Sequence, residues 1–168
     1  MLERKRILRL FKELDRELAK EGVVGEVLLC GGAVMCLVFQ ARTATKDVDA
    51  AFSPTREVRR AVRAVAERLG ESPDWLNDAA KGFFGMDPPA DAVLDFPHLR
   101  VYAPKADYLL AMKCMAARFD THDKDDAVFL IRHLGLSRPE EVFRLIEKYY
   151  PRREVPAKTR FLVEEILS

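Results

Sequence analysis

The chain has 168 residues, 49% hydrophobic and 33% charged, with a formal net charge of +1. This length suits one domain with a real core, and the near-neutral balance excludes a chain whose overall charge alone would attract nucleic acid. Cys30, Cys36 and Cys114 lie in apolar stretches without metal-binding spacing, so small buried side chains in a reducing compartment are expected. No apolar run is long enough to span a membrane and the first residues lack a signal-peptide core, which predicts a cytoplasmic protein with no membrane contact.

Before residue 71 the chain alternates helices with short strands. Apolar residues recur at helical spacing near the start, and two short apolar runs have the length of buried strands. The predicted elements are a helix at 3–20 ended by Gly22, a strand at 26–30 ended by Gly31-Gly32, a helix at 33–40, a polar loop at 41–46, a strand at 47–52 and a basic helix at about 54–69.

The second half is first irregular and then wholly helical. Residues 71–90 are rich in Gly, Pro and Asp, which predicts a loop with one short helix near 75–80. The elements predicted after it are strands at 92–95 and 99–102 and helices at about 105–118, 123–134, 138–149 and 156–167. This order predicts an α/β (α+β) chain, with a small mixed sheet and flanking helices over 1–104 and a helical C-terminal part packed on that core over 105–168.

Gly31-Gly32 stands where a strand meets a helix. The first N–H groups of a helix are unpaired and lie at the positive end of its dipole, so this position favours anions. Glycines have no Cβ atom and let phosphate oxygens approach the backbone. A purely structural turn gives the same pattern, so this element alone leaves both interpretations open.

Asp47 and Asp49 begin an otherwise apolar strand. Strand alternation puts the two carboxylates on one face, about 6 to 7 Å apart at Cα. Such oxygen ligands suit one or two Mg²⁺ ions, and their mutual repulsion favours a counter-cation. The alternative is a pair of solvated residues on an edge strand.

Together the two elements have the order of a known signature. The stretch GGAVMCLVFQARTATKDVDAAF (31–52) resembles the signature of polymerase-β-like nucleotidyltransferases, which is Gly-Gly or Gly-Ser, a helix, and then Asp-x-Asp on a strand. The run 42–49 resembles in particular small bacterial nucleotidyltransferase-like proteins related to abortive-infection toxins of toxin–antitoxin systems. Segments 73–83 and 108–131 resemble further stretches of one such subfamily, so the resemblance covers about residues 26 to 135.

The resemblance implies a nucleotidyltransferase-like fold and an NMP transfer. Gly31 and Gly32 would hold the β- and γ-phosphates of a nucleoside triphosphate, and Asp47 and Asp49 would hold Mg²⁺ or Mn²⁺. An acceptor hydroxyl attacks the α-phosphorus and pyrophosphate leaves. The expected acceptor is RNA, tRNA among them, or a partner protein, and no DNA partner is expected. The family usually adds a third carboxylate, as metal ligand or base, and Asp95 is its candidate here, provided that it lies near the other two.

Further candidates follow from the same resemblance. Arg42, Thr43 and Thr45 precede the metal strand and are candidate phosphate contacts, although any polar loop contains such residues. Trp75 and Asn77 are candidates for the nucleotide pocket, although a lone Trp is also typical of a core.

Lys113 is a candidate phosphate contact with a catalytic role, and the alternative is a snorkelling side chain. Arg118 ends the same predicted helix, where a cation suits the dipole. Asp123, Asp125 and Asp126 open the next helix. The resemblance implies that Asp126 or Asp123 faces the cleft and orients Lys113 or the substrate, whereas an acidic first turn is also ordinary capping.

Two alternatives to an active enzyme follow from the same residues. One is a catalytically inactive nucleotidyltransferase fold that binds nucleotide or acts as an antitoxin-like interaction module. The other is a structural or partner-binding protein whose helical tail, with residues such as Phe143 and Phe161, is an interaction face.

Overall fold

A computed structural model of the chain describes residues 1–84, 87–116 and 121–168. The chain forms two compact units, one of residues 1–81 with 90–104 and one of residues 82–89 with 105–168. The predicted fold class is confirmed, since a mixed sheet with helices is followed by helices alone. Within the described ranges, no helix is both long enough and apolar enough to cross a membrane.

The first unit is built on a five-stranded sheet. Its elements in chain order are β1 (Leu2–Glu3), α1 (Arg4–Lys20), β2 (Gly25–Leu29), α2 (Gly31–Leu37), β3 (Ala44–Thr45), β4 (Val48–Ser53), α3 (Thr55–Leu69), β5 (Leu76–Asn77), β6 (Ala90–Phe96) and β7 (Leu99–Pro104). A 3-10 helix (Lys81–Phe83) crosses the sequence boundary between the two units. The strand order is β5-β4-β2-β7-β6, and a separate pair joins β1 to β3. β2 runs antiparallel to β4 and parallel to β7, so the sheet is mixed.

Helices α1 and α3 cover one face of this sheet. Gly25 of β2 shows this directly, because a Cβ atom there would lie 2.9 Å from Leu18 of α1 and 3.2 Å from Val58 of α3. The residues of β2, β4 and β7 that alternate onto the same face are buried, and they are Val27, Leu29, Val48, Ala50, Phe52, Leu99, Val101 and Ala103. Burial of each large apolar side chain contributes about 1.5 to 3 kcal/mol, which fixes the register of the strands. Asp49 therefore lies on the opposite face.

The structure differs from the prediction mainly at the short helices and strands. The helix predicted near 75–80 is wrong, because residues 76–77 form β5 beside β4. β1 and β3 were not predicted, since two-residue strands carry no periodic pattern. The helix predicted at 33–40 begins two residues earlier, at Gly31, and the strand predicted at 47–52 runs from Val48 to Ser53.

The second unit is helical in the residues described. It contains α4 (Ala106–Ala116), α5 (Thr121–His133), α6 (Pro139–Tyr149) and α7 (Ala157–Ile166). Tyr108 and Tyr149 pack edge to face with ring centroids 5.0 Å apart, and the Tyr149 hydroxyl donates to Asp107 Oδ2 over 2.6 Å. The Thr159 hydroxyl donates to the carbonyl oxygen of Cys114 over 2.7 Å, which joins α7 to α4.

The three cysteines, all within the described residues, are buried as predicted and form no disulfide. Burial raises the pKa of the Cys114 thiol to about 12. The thiolate is the reactive form, so almost none of Cys114 is reactive at pH 8. We expect Cys114 to resist alkylation by iodoacetamide in the folded protein and to react once the chain is unfolded in urea, as read by peptide mass spectrometry. Modification of Cys114 under native conditions, at the rate seen in urea, would contradict its burial.

Candidate functional site

The Gly-Gly turn joins β2 to α2 at the end of the sheet where β4 begins. Cys30 is extended, with φ −146°, and its N–H donates to the carbonyl oxygen of Asp49 over 2.9 Å. Gly31 has φ +60°, a left-handed conformation that costs a residue with a side chain about 1 to 2 kcal/mol. The glycine is thus required by the backbone path at this point, and the turn is tied to β4 by a hydrogen bond.

Asp49 lies against this turn. A Cβ atom built on Gly31 would be 3.5 Å from Asp49 Oδ2, an ordinary van der Waals contact, so the carboxylate lies near the turn on the side to which a side chain would project. The cause is the antiparallel register of β2 and β4, which pairs Leu29 with Ala50 and brings the end of one strand to the start of the other. On the other side of β4, Asn77 of β5 is paired with Asp49. Two predicted site elements that lie far apart in sequence are therefore adjacent.

Gly32 is packed against the loop that precedes β4. A Cβ atom on Gly32 would lie 2.7 Å from Thr45 Oγ1 and 3.0 Å from Arg42 Nη1, closer than real Cβ atoms approach. Thr45 is buried and its hydroxyl donates to the carbonyl oxygen of Asp47 over 3.1 Å. The space that Gly32 leaves is thus filled by side chains of the chain itself. Arg42 and Thr45 join the turn, whereas Thr43 is exposed.

Asp47 precedes β4, in a bend, and not on the strand as predicted. Strand alternation therefore does not place its side chain on the face of Asp49. Asp47 lines a pocket of about 730 Å³, whose wall consists of Met1, Leu2, Glu3, Arg6, Lys46, Asp47, Glu71, Ser72, Asp74 and Trp75. Arg6 is bonded there to Glu71 over 2.6 Å. This pocket could not be predicted from the sequence, because it joins three segments that are distant along the chain.

Asp95 lies away from the other two carboxylates. It is on β6, three strands from β4, which is about 14 Å at the usual strand spacing. The register also sets it level with Ser53, at the far end of β4 from Asp49, through Arg100 and Glu26. Its side chain is 76% exposed and lies 3.6 Å from Arg100 Nε. The expectation that Asp95 joins Asp47 and Asp49 as metal ligand or base is therefore wrong.

Lys113, Asp123 and Asp126 form a cluster in the second unit. Lys113 Nζ lies 2.6 Å from Asp126 Oδ2 and 3.1 Å from Asp123 Oδ1. The side chains of Lys113 and Asp126 are only 7% and 2% exposed, so this is a buried ion pair and not a snorkelling lysine. The resemblance implied that these acids orient Lys113, and the contacts agree with that arrangement. Arg118 lies outside the described residues.

Trp75 and Asn77 differ in their environment. Trp75 is 2% exposed, its ring N–H donates to the carbonyl oxygen of Val62 over 3.2 Å, and it packs edge to face on Phe11. It is a core residue and does not offer an open stacking surface. Asn77 is half-buried beside Asp49, and its side-chain oxygen accepts from the N–H of Ala79 over 3.1 Å.

The donor set limits the chemistry of the site. In the part of the chain that the structure describes, no group of three or more His, Cys, Asp or Glu side chains is arranged to hold a metal ion. Mg²⁺ is often bound by only one or two carboxylates, and substrate phosphates and water complete its octahedron. Asp49 beside a glycine turn fits that mode, whereas a metal cage supplied by protein alone is not formed by the described residues.

Comparison of the chain with protein-family models, curated proteins and solved structures found no match.

Proposed function

We propose that this chain binds a nucleoside triphosphate together with Mg²⁺ or Mn²⁺ at the Gly31-Gly32 turn and Asp49, and transfers NMP to a hydroxyl group of RNA or protein. The observation that carries the proposal is the approach of Asp49 Oδ2 to Gly31. It joins a backbone turn without side chains to a carboxylate, the two groups that a metal-bound triphosphate requires.

The residues of the turn have separate tasks in this proposal. Gly31 leaves the backbone open beside Asp49, and Gly32 lets Arg42 and Thr45 come close to the turn. The Arg42 guanidinium adds positive charge where phosphate charge would lie. Asp49 is the principal oxygen ligand, and Asp47 contributes from the adjoining pocket. A bound divalent ion supplies charge neutralisation for the phosphates, worth several kcal/mol.

In the transfer, the acceptor oxygen forms a bond to the α-phosphorus and the bond from that phosphorus to pyrophosphate breaks. The hydroxyl proton passes to water, because Asp95 is too distant to accept it.

A second candidate function is nucleotide binding without transfer. The placement of Asp95 favours it, since a site with two carboxylates and no third can hold metal and triphosphate yet lack a base. A role in a toxin–antitoxin system, as toxin or as antitoxin-like module, is compatible with either candidate and is part of the proposal only through the resemblance of residues 42–49.

Transfer of radiolabel tests the proposal. Each of the four α-labelled nucleoside triphosphates is incubated with the protein, Mg²⁺ or Mn²⁺, and either total RNA or a protein extract. We expect labelled RNA or protein, and we expect Asp49→Asn to lower the rate at least about a hundredfold, because it removes a charge interaction of several kcal/mol.

The matched control is Asp95→Asn, which removes the same charge from the same sheet at its opposite end. This variant should label at the parental rate. Equal labelling by Asp49→Asn and the parent would contradict the proposed site. Thermal stabilisation by nucleotide and Mg²⁺ that depends on Asp49, without any labelling, would establish the second candidate instead.

A further inference from the structure

Positive charge is concentrated in the two helices that cover the sheet. α1 has seven basic and three acidic side chains, a net charge of +4, and α3 has five basic and two acidic ones, a net charge of +3. Because the whole chain carries only +1, the rest of it carries −6. The near-neutral total therefore hides an uneven distribution of charge, although Arg6, Arg59 and Arg60 are paired with acidic residues outside the two helices.

On α1 the exposed basic side chains form one narrow stripe, which consists of Lys5, Arg9, Lys12, Arg16 and Lys20. At 3.6 residues per turn these five positions span about 80° of the helix circumference and about 22 Å of its length. They lie opposite the apolar positions, such as Leu14, that α1 buries. All five are exposed, and we call them the α1 basic stripe.

Two of the five stripe residues are paired with acidic side chains of α1 itself, since Arg16 Nη1 lies 2.6 Å from Glu13 Oε1 and Lys20 Nζ lies 2.8 Å from Glu17 Oε2. Glu13 Oε2 also lies 3.1 Å from Arg68 of α3. Asp15 accepts from the N–H of His98 over 2.7 Å. By contrast, Lys5, Arg9 and Lys12 form no ion pair with any residue in the described ranges. The stripe therefore keeps most of its charge for an external partner.

We propose that the α1 basic stripe binds the phosphodiester backbone of a nucleic acid, with RNA as the partner. Successive basic side chains of the stripe are three or four residues apart, which is about 5 to 6 Å along the helix. A row of basic side chains with this spacing can neutralise consecutive phosphates of one nucleic-acid strand. Arg56 and Arg63 of α3 are exposed as well.

A membrane surface is a poorer partner for this helix. Peripheral amphipathic helices insert their apolar face into the lipid, but the apolar face of α1 is already buried against the sheet: Leu14 and Leu18, for example, are 0% exposed. Only the charged face of α1 remains available, and it has no exposed aromatic or large aliphatic residue along the stripe.

The stripe is separate from the proposed nucleotide site. α1 lies on the covered face of the sheet, whereas Asp49 lies on the other face. RNA binding at the stripe therefore does not rest on the proposed transfer, and each can fail without the other. If both hold, the stripe anchors an RNA acceptor away from the site of reaction.

Fluorescence polarisation with labelled single-stranded RNA, and with duplex DNA in a parallel series, tests the proposal. The variant Lys5→Gln, Arg9→Gln and Lys12→Gln removes three charges that support no internal ion pair. At about 0.1 M salt we expect its Kd for RNA to rise about a hundredfold, since each phosphate contact to a single strand contributes a factor of about five. The slope of log Kd against log salt concentration should fall by about two.

The matched control is Arg144→Gln, Arg152→Gln and Lys158→Gln, three exposed bases of the second unit that likewise have no ion pair with a described residue. It should leave Kd within about twofold. Thermal unfolding and the thermal shift caused by Mg²⁺ and nucleotide should be unchanged in both variants. Equal affinity of the α1 variant and the parent for RNA overturns the proposal, as does tighter binding of the parent to duplex DNA or to phosphatidylserine vesicles than to RNA.

Discussion

Replacement of Lys113 by Met is expected to lower the free energy of unfolding by about 3 to 5 kcal/mol. Lys113 Nζ lies 2.6 Å from Asp126, whose side chain is 2% exposed, so the variant leaves a buried carboxylate without its cation. Met has nearly the volume of Lys, so loss of packing contributes little. Urea unfolding followed by far-UV circular dichroism at pH 7 measures the change.

Two controls separate the charge effect from other causes. The double variant Lys113→Met with Asp126→Leu removes both charges and should recover most of the lost stability, because apolar residues replace buried ion pairs at little cost. Lys124 lies at the same 2.6 Å from Glu165, but these side chains are 43% and 66% exposed, so Lys124→Met should cost less than about 1 kcal/mol. A loss below about 1 kcal/mol for Lys113→Met would show that Asp126 does not depend on this lysine.

Substitution of Gly32 by Ala is expected to destabilise the first unit by about 1 to 3 kcal/mol. The added Cβ would lie 2.7 Å from Thr45 Oγ1, and Thr45 is buried and bonded to the backbone of Asp47, so it has little room to retreat. The other close atom, Arg42 Nη1, is at the end of a long flexible side chain and can move away. The same displacement would disturb the proposed nucleotide site and weaken the thermal shift produced by Mg²⁺ and nucleotide.

A double-mutant cycle identifies the cause. Thr45→Ala removes the hydroxyl and leaves a Cβ atom 3.5 Å from the new one, an ordinary contact. The combined Gly32→Ala and Thr45→Ala variant should therefore lose less stability than the sum of the single variants, with a coupling of at least about 0.5 kcal/mol. If the two single-variant losses of stability were additive, the strain caused by Gly32→Ala would not come from the Thr45 hydroxyl. Gly82→Ala, which has nothing within 4 Å, is the neutral reference.

The parts of the fold with regular apolar patterns could be predicted from the sequence. The apolar stripes of α1 and α3 predicted both helices to within a residue or two, and the apolar runs of β2 and β4 predicted both strands. β5 could not be predicted, because its two residues become a strand only by pairing with β4. A strand as short as β5 is determined by the strand with which it pairs and not by a pattern in its own residues.

Only the part of the candidate site that lies within one short stretch of sequence could be predicted. Gly31 and Asp49 were identified by type and order, and the β2–β4 register brings them together. The resemblance calls for a third carboxylate on a later strand, which makes Asp95 the candidate, but strand order and register decide where Asp95 lies, and neither can be read from one segment. The total of +1 does not indicate the positive charge of α1, because it averages over surfaces that only the fold separates.

The parallel pairing of β2 with β7 has a consequence for assembly of the protein during synthesis. β2 is at the centre of the sheet, and Gly25 pairs with Leu99, so the central strand lacks one of its neighbours until β7 has left the ribosome. By then residues 82–89, which belong to the other unit, have already been made. Until then β2 can pair with β4 on one side, but its other edge has no partner strand. Formation of such distant parallel contacts is intrinsically slow, and the insertion of β7 is the step on which completion of the first unit depends.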